Sequence, residues 1–494
     1  MQVHPTVDAV QSVFAKVFDV RSGEFSRVSL LWLQSLLIGF AIVSYESAAT
    51  SLFLSVFEVS SLPLVYIGVA VVSVIFGIVY MRLEEKLTPA RLFPIAVTVI
   101  LAGMLGARGL LAVTESKWAY LATMVWLDVT IVFLGLQFWS LAGLLLNVRQ
   151  SKRLFGIIGS GEVLGVVIGG LLVPVLVRMI GTVNVFLWAA GCLGVAFLIL
   201  LITVASNRSR LQEGEEDEDE EELTFGAMLK TPYLLLLFAF SFFVVLSDYF
   251  VDFFFYAKVD EQFPSEEKLA SFLGPFFAAV GAFSFFAKLF LFNRIMKRFG
   301  VLGGLLTMPI AVLVAVLLAM SANYYFPDSS IFGYSWVFVF ILLTKMFDLG
   351  LRPAISEPTT IVLFQPIAPG RRVRVQSFND SVIEPINNGL TGVILLVLTM
   401  GLGWGIVEIG WTTAAIFAAG IIVCFVVRRG YATELTKTFE KRNLTDAGAS
   451  GPIDERTLRP YLKSDEPGEV IYGLFRDFRG NYLTERDLTL RRKT

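Results

Sequence analysis

The sequence has 494 residues, of which 55% are hydrophobic, 13% aromatic and only 17% charged, and its formal net charge is −2. Soluble domains average about 25% charged residues, so this chain has more apolar surface than a soluble core can hide. The composition excludes a soluble globular protein. We expect an all-α membrane protein that contacts lipids and has no nucleic-acid partner.

Residues 1–27 precede the first long hydrophobic run and do not have the form of a signal peptide. Within them, Val10, Val13, Phe14 and Val17 recur at helical spacing. This pattern predicts an amphipathic helix that lies in the membrane interface, and a disordered tail is the alternative.

Twelve apolar segments follow, and each is long enough to cross a hydrocarbon core of ~30 Å, which takes about 20 residues. They are residues 28–50, 62–81, 92–113, 118–146, 155–178, 182–205, 232–256, 270–292, 301–320, 332–352, 377–400 and 404–427. We therefore predict twelve transmembrane helices, in an N-terminal six-helix half (28–205) and a C-terminal six-helix half (232–427).

The basic residues are concentrated in the loops that follow even-numbered spans. Those loops contain Arg82, Lys86, Arg91, Arg149, Lys152, Arg153, Arg294, Lys297, Arg298, Arg371, Arg372 and Arg374. The loops that follow odd-numbered spans contain few, chiefly Lys117, Lys258 and Lys268. Because cytoplasmic loops carry the excess of lysine and arginine, we expect both termini to be cytoplasmic, in a bacterial inner membrane.

Two polar regions flank the C-terminal half. Residues 206–231 contain the acidic run EGEEDEDEEE, which predicts a solvated cytoplasmic linker; a regulatory or partner-binding segment is the alternative. Residues 428–494 predict a cytoplasmic helical tail with two short amphipathic helices. The tail resembles the opening of a helical repeat region, which offers a site for a cytoplasmic partner, and a tail packed under the membrane domain is the alternative.

A pattern of charges recurs in the two halves. Each half has an acidic residue in its fourth span, a basic residue in the next loop and an acidic residue in its fifth span. These are Asp128, Arg153 and Glu162 in the first half and Asp348, Arg374 and Glu384 in the second, and the spacing is nearly the same in the two halves. Parallel six-span repeats with a central cavity are the architecture of the major facilitator superfamily. We expect two pseudo-symmetric halves of that type.

Two stretches carry a narrower resemblance. LGLQFWSLAGLLLNVRQSKRLFGIIGSGEVLGVVIGG resembles the fourth and fifth spans of the ATP/ADP translocase family of nucleotide transporters. KMFDLGLRPAISEPTTIVLFQPIAPGRRVRVQSFNDSVIEPINNGLTG resembles the tenth and eleventh spans of the same family. The resemblance implies a bacterial secondary transporter that works by alternating access, with a nucleotide or another phosphate-bearing anionic solute as its substrate.

Nothing in the sequence indicates an enzyme. The HExxH, GxSxG and GxxxxGKS/T patterns are absent, and the one histidine, His4, precedes every predicted span. We therefore expect no catalytic residues, no metal site and no cofactor.

Charged residues occur inside the predicted spans, where each costs about 2.5–3.5 kcal/mol or more. We expect them to bind the substrate or a coupling ion, and they are Glu46, Asp128, Glu162, Asp248, Asp252, Lys288, Lys345, Asp348, Arg352, Asp380 and Glu384. Purely structural ion pairs are the alternative.

Lys345, Asp348 and Arg352 follow each other at steps of three and four residues, which places them on one helix face. We expect this face to turn toward the central cavity, with Lys345 and Asp348 in reach of Asp128 or Glu46. Arg352 is expected near the cytoplasmic end of its span.

A phosphate-bearing substrate requires cations, and Lys288, Lys345 and Arg352 are the candidates. Acidic residues nevertheless outnumber basic ones in the spans, and the first span contains no lysine. Unpaired carboxylates repel an anion, so the residues themselves argue against a nucleotide.

Two pairs of carboxylates are four residues apart, Asp248 with Asp252 and Asp380 with Glu384. Such pairs suit a proton relay or a bound cation, because two ionised carboxylates on one face repel each other. Other functions stay open: a non-transporting membrane scaffold or sensor, or a lipid or amphiphile transporter that uses the phenylalanine-rich seventh and eighth spans.

The predicted orientation can be measured in cells that express a chain with Cys192 and Cys424 replaced by serine. We expect Ser116→Cys, after the third span, to react with a membrane-impermeant maleimide in intact cells. Thr494→Cys should react only after the cells are opened, because a cytoplasmic terminus is out of reach. Labelling of Thr494→Cys in intact cells would contradict the predicted topology.

Overall fold

A computed structural model of the chain describes residues 24–447, except for residues 85, 115, 209–210, 212–227, 229, 327–328, 332 and 368. The described residues belong to two units, which divide between Tyr431 and Ala432. The predicted acidic linker and the greater part of the two predicted terminal segments lie outside the described residues.

The regular secondary structure of the described residues is helical except for one small hairpin. The helices that match the first ten predicted spans are α1 Phe25–Val56, α2 Leu62–Glu84, α3 Pro89–Val113, α4 Lys117–Leu145, α5 Val148–Ile180, α6 Val185–Ser206, α7 Pro232–Gln262, α8 Glu266–Ala287, α9 Asn293–Tyr325 and α10 Trp336–Leu351. They are followed by α11 Glu357–Leu363, α12 Pro369–Phe378, α13 Glu384–Leu396 and α14 Ile406–Ala447.

Short elements connect or interrupt these helices. Single 3₁₀ turns precede α2 and α6, at Val59–Ser61 and Thr182–Asn184. Strands β1 (Ser330–Ile331) and β2 (Tyr334–Ser335) form an antiparallel hairpin before α10, with Ser330 opposite Ser335. Turns of π-helix occur at Lys288–Phe292, Arg352–Ser356, Asn379–Ile383 and Val397–Gly401.

Nine helical segments within the described ranges are long and apolar enough to cross a membrane. One of them, Glu266–Tyr325, has 60 residues and covers two predicted spans; Gly300, with a φ of 62°, breaks its helical backbone. The tenth and eleventh predicted spans are divided by π turns and are not among the nine. The polytopic all-α character is confirmed, whereas the count of twelve and the two six-helix halves stay predictions.

The predicted end of the tenth span is wrong. The helical course continues from α10 through the π turn Arg352–Ser356 into α11, which ends at Leu363. A π turn tolerates the missing N–H of Pro353 because its backbone hydrogen bonds are already rearranged. Arg352 therefore lies well inside the helical segment and not near its cytoplasmic end.

Two further boundaries differ from the sequence-based expectation. Residues 25–27, which were expected in the interfacial helix, form the first turn of α1. The last helix does not stop at residue 427, because α14 continues to Ala447. A helix with polar side chains on its surface can continue beyond the membrane. The hydropathy of the sequence therefore marks where the apolar stretch ends and not where the helix ends.

Glycines on α5 allow it to pack closely against α1. Gly161, Gly165 and Gly169 recur every four residues, so they lie on one face of α5. A methyl group on Gly165 would overlap the carbonyl oxygen of Leu36, and one on Gly161 would lie 2.5 Å from the carbonyl oxygen of Trp32. The backbones of the two helices are therefore nearly in contact.

Close contacts between backbones at glycine also join the first six long helices to the later ones. Gly170 of α5 faces Gly274 of α8, where a methyl group on Gly274 would lie 2.6 Å from the carbonyl oxygen of Gly170. Gly392 of α13 packs on α2, where an added methyl group would lie 3.1 Å from the carbonyl oxygen of Pro63. The run GEVLGVVIGG thus gives α5 one small-residue face for α1 and another for α8.

Substitution of Gly165 tests the α1–α5 contact. We expect Gly165→Ala to lower the free energy of unfolding by about 1–3 kcal/mol, because overpacking forces the two backbones apart. The measurement is the midpoint of thermal unfolding of the detergent-purified protein. Gly191→Ala on α6, where an added methyl group meets no atom within 4 Å, is the control and should not lower the midpoint. Equal midpoints for the two variants would contradict the close approach.

Candidate functional site

A cavity of about 830 Å³ lies among the helices of the first unit. Its lining comes from α1, α2 and α4 and from α7, α10, α11, α12 and α13. The charged side chains that line it are Glu46, Asp128, Asp248, Asp252, Lys345, Arg352, Glu357, Asp380 and Glu384. Carboxylates are thus seven of these nine charged groups.

Lys345 of α10 reaches across to α7. Its side chain is only 2% exposed, and its ammonium group contacts the carboxylate of Asp252 directly. The Nζ atom also lies 3.5 Å from Asp348 Oδ2 and 4.0 Å from Asp248 Oδ1. Three carboxylates therefore surround one ammonium group.

Arg352, in the π turn that follows α10, completes this group of charges. Its Nη2 atom donates to Asp348 Oδ1 at 2.7 Å and lies 2.8 Å from Asp248 Oδ1. We call Asp248, Asp252, Lys345, Asp348 and Arg352 the ion-pair network. Asp348 is its centre, because it contacts both cations and is 0% exposed.

Helical spacing explains how the sequence builds the network. Asp248 and Asp252 are four residues apart on α7, so both carboxylates lie on the face that turns toward α10. Lys345, Asp348 and Arg352 lie on the opposing face at steps of three and four residues. Each cation therefore finds one partner on its own helical segment and at least one on α7.

Five lining carboxylates lie outside the network. Among the residues that the structure describes, no lysine or arginine nitrogen lies within 4.0 Å of them, and they are Glu46, Asp128, Glu357, Asp380 and Glu384. Glu46 on α1 and Asp128 on α4 lie on one wall, and the other three lie on α11, the π turn Asn379–Ile383 and α13. The cavity thus has an excess of unpaired acidic groups.

Three tyrosines line the cavity beside these acids: Tyr66, Tyr249 and Tyr256. The rings of Tyr66 and Tyr249 are stacked, with centroids 3.9 Å apart and an interplanar angle of 15°. Tyr66 is 4% exposed, and its Oη atom has no hydrogen-bond partner in the described part of the chain. An orphaned buried hydroxyl is costly and is expected where a ligand completes the bonding.

Three of the expected site residues do not line this cavity: Glu162, Lys288 and Asp348. Lys288 is exposed at the first position of the π turn after α8, and Glu162 is half-buried on α5. Lys288 interacts electrostatically with Glu162 and with Glu357. Lys288 therefore does not reach the cavity in this structure, and its role in binding a substrate or coupling ion stays a prediction.

Asp348 was expected to face the cavity, and this is wrong. It is fully buried and absent from the lining, and the carboxylates of another helix that contact Lys345 are Asp252 and Asp248 of α7, not Asp128 or Glu46. Asp128 and Asp348, which correspond in the repeat pattern, have different surroundings: Asp128 lines the cavity and Asp348 binds two cations. The superposition of the halves stays a prediction.

Sequence reasoning missed Glu357 and the three tyrosines. Glu357 lies just beyond the predicted end of the tenth span, and continuation of the helix past Arg352 brings it into the cavity. Its charge in an otherwise uncharged stretch, ISEPTTIVLF, was the available signal. The tyrosines had no signal, because an aromatic residue in an apolar helix packs against lipid or core as readily as it lines a cavity.

Removal of one network charge tests the pairing. We expect Lys345→Met to lower the free energy of unfolding by about 3–5 kcal/mol, because it leaves buried carboxylates without their cation. The double variant Lys345→Met with Asp252→Asn removes both partners of the closest pair and should recover most of the loss. Thermal unfolding in detergent measures both effects.

The control for this experiment is Lys258→Met, which removes the partner of Glu261, a side chain that is 63% exposed. A surface pair of this kind contributes about 0–1 kcal/mol. If Lys345→Met were as stable as Lys258→Met, the network would not be an energetic constraint.

The architecture and part of the sequence match known proteins. The Major Facilitator Superfamily model matches residues 140–384. Two solved structures share the fold over 81% of this chain at 14% identity: a bacterial homologue of the iron transporter ferroportin in an inward-facing state (TM-score 0.60, 98% of that chain) and a point mutant of the nucleoside transporter NupG (TM-score 0.59, 99% of that chain).

Among curated proteins, ADP,ATP carrier protein 1 of Chlamydia trachomatis serovar D is 22% identical over 261 residues, 49% of this chain and 49% of the carrier. The chain thus spans about half the length of the curated relatives it matches. This similarity falls on the family whose fourth, fifth, tenth and eleventh spans the sequence resembles. Together, the superfamily match, the shared fold and the carrier similarity confirm that resemblance: the chain is similar to proteins of the major facilitator superfamily and, more distantly, to ADP/ATP carriers.

Proposed function

We propose that the protein is a secondary transporter, which moves a polar solute across the membrane by alternating access through the cavity. One observation carries the proposal: a cavity of about 830 Å³ inside an apolar helical protein is lined by nine charged side chains. Each charge within a membrane costs about 2.5–3.5 kcal/mol or more. Helix packing alone does not explain why five carboxylates lie there without cations. A site that binds a solute or a coupling ion explains them.

The lining supports alternating access, because it is drawn from two sets of helices. Residues of α1, α2 and α4 form one wall, and residues of α7 and α10–α13 form the other. The sets meet at the α5–α8 and α2–α13 crossings, where small residues let the backbones approach closely. Rotation of one set against the other about these crossings would open the cavity to one membrane face and then to the other.

A nucleotide or another phosphate-bearing solute is the cargo that the similarity to ADP/ATP carriers supports. The lining offers it Lys345 and Arg352 as charge-assisted donors. Both cations are already in contact with carboxylates, so a phosphate would have to displace Asp248, Asp252 or Asp348. The geometry therefore adds no support to an anionic cargo.

Two other functions are less well supported. A lipid or amphiphile path through the phenylalanine-rich helices would need those rings in the cavity, but Phe286 and Phe290 are exposed on the outside of α8 and its π turn. Of the described phenylalanines, only Phe240 and Phe364 line the cavity. A scaffold or sensor that acts through the C-terminal tail would leave the charged cavity without a role.

A cysteine at Thr50 separates a transporter from a protein with one fixed conformation. Thr50 is fully buried and lines the cavity on α1, in the half of the helix that is predicted to face outward. In a chain with Cys192 and Cys424 replaced by serine, we expect Thr50→Cys to react with a membrane-impermeant maleimide from both faces. Right-side-out and inverted membrane vesicles provide the two measurements.

Two control positions define labelling from one face. Ser116→Cys lies in a predicted external loop and should react in right-side-out vesicles. Lys437→Cys lies at an exposed position in the predicted cytoplasmic extension of α14 and should react in inverted vesicles. Reaction of Thr50→Cys from one face only would overturn alternating access and favour the scaffold.

A further inference from the structure

We infer that the cavity binds an organic cation, with its charge between Glu46 and Asp128 and its body against the stacked rings of Tyr66 and Tyr249. The inference rests on the proposed function in one respect, since it names the class of solute that the transporter would carry. Binding itself is independent of whether the helices move.

The first argument is the balance of charge. Both cations of the lining are already held in the ion-pair network, where three carboxylates face two cations. Glu46 and Asp128 lie on the opposite wall and, within the described ranges, no basic group lies within salt-bridge distance of either. An anion placed between the walls would be repelled by both, whereas a cation would compensate two like charges that otherwise repel each other.

The second argument is independent of the acids and comes from the tyrosines. In a stacked pair, the face of each ring that is turned away from the other ring can attract a cation through the ring quadrupole. Tyr66 and Tyr249 present such a pair at 3.9 Å, close enough to Asp128 for electrostatic interaction. The buried Oη atom of Tyr66, which has no partner among the described residues, would accept a hydrogen bond from an ammonium N–H group.

The third argument separates an organic cation from a metal ion. In the part of the chain that the structure describes, no three histidine, cysteine, aspartate or glutamate residues are grouped as metal ligands. The wall near Glu46 and Asp128 also contains apolar side chains, and these are Leu62, Val69, Met124 and Leu127. A site of about 830 Å³ with an acidic, an aromatic and an apolar surface fits an amine or a quaternary ammonium that carries a hydrocarbon group.

The protein itself provides a precedent for this chemistry. The ammonium group of Lys345 is a primary alkylammonium held by carboxylates within the same cavity. Asp248 and Asp252 on one wall thus bind an internal ammonium, while Glu46 and Asp128 on the other wall remain available for an external one.

Binding of radiolabelled benzyltrimethylammonium to the purified full-length protein in detergent tests the inference. We expect saturable binding that an excess of ATP or Mn²⁺ does not displace. Glu46→Gln and Asp128→Asn should each weaken binding at least tenfold, and Asp128→Glu, which restores the charge, should recover most of it. Glu267→Gln removes an exposed carboxylate at the start of α8 and should leave binding unchanged.

Several results would overturn the inference. They are the absence of saturable benzyltrimethylammonium binding, displacement by ATP or Mn²⁺ at lower concentration than by the unlabelled cation, or equal affinity of Asp128→Asn and Glu267→Gln. Size-exclusion profiles and thermal unfolding identify a variant that fails to fold. In that case the binding affinities of Asp128→Glu and Asp128→Asn are compared, and this comparison decides whether the charge is required. Tyr66→Phe provides a further variant, which keeps the ring and removes only the hydroxyl. Because benzyltrimethylammonium has no N–H group to donate to that hydroxyl, its affinity should be unchanged in Tyr66→Phe.

The failure of the inference and the failure of the proposed function are distinguishable. If Thr50→Cys is labelled from both faces but benzyltrimethylammonium does not bind, alternating access stands and the cargo is of another class. If the cation binds but Thr50→Cys is labelled from one face only, the site stands and the protein is a receptor for the cation and not a transporter.

Discussion

The ion-pair network is the interaction on which the rest of the structure depends. Its five charges lie where water is scarce, and each is acceptable only because partners lie within about 4 Å. The network fixes the rotation of α7 and α10 about their axes, since a turn of either helix would separate Asp248 and Asp252 from the cations that they contact. With those rotations fixed, Tyr249 and Tyr256 of α7 also point into the cavity. Stability and the shape of the site therefore follow from the same contacts.

Close packing on the other side of the molecule complements this constraint. The glycine faces of α5 bring its backbone nearly into contact with those of α1 and α8. This packing positions Glu46 of α1 across the cavity from Asp252. The wall that contains α1 is thus positioned by close packing of small residues. The wall that contains α7 and α10 is positioned by charges that must be neutralised. A solute between them meets a rigid acidic wall on one side and a wall of exchangeable ion pairs on the other.

Much of this could be predicted from the sequence, and the misses have physical causes. Hydropathy and the distribution of arginine and lysine predicted an all-helical membrane protein, and helical spacing predicted that Lys345, Asp348 and Arg352 share a face. Their partners on α7 were not predictable, because spacing along one helix does not say which helix lies opposite. Lys288 was misplaced for a similar reason: a charge inside an apolar run indicates a cost but not the direction of the side chain. Glu357 was missed because the predicted tenth span stops at residue 352, whereas the helical course continues through a π turn to Leu363.

A π turn also accounts for part of an irregularity in the repeated pattern of charges. Asp128 precedes Arg153 by 25 residues, and Arg153 precedes Glu162 by nine, whereas the intervals from Asp348 to Arg374 and from Arg374 to Glu384 are 26 and ten. Each longer interval contains one π turn, Arg352–Ser356 in the first and Asn379–Ile383 in the second, and the stretch from Asp128 to Glu162 contains none. A π turn holds one residue more than an α-helical turn. In the second interval the helical course is continuous from Arg374 to Glu384, so the π turn accommodates the extra residue and Glu384 keeps the same angular position relative to Arg374 that Glu162 has relative to Arg153. In the first interval the connection between α11 and α12 is also longer than that between α4 and α5, so the π turn is not the only difference.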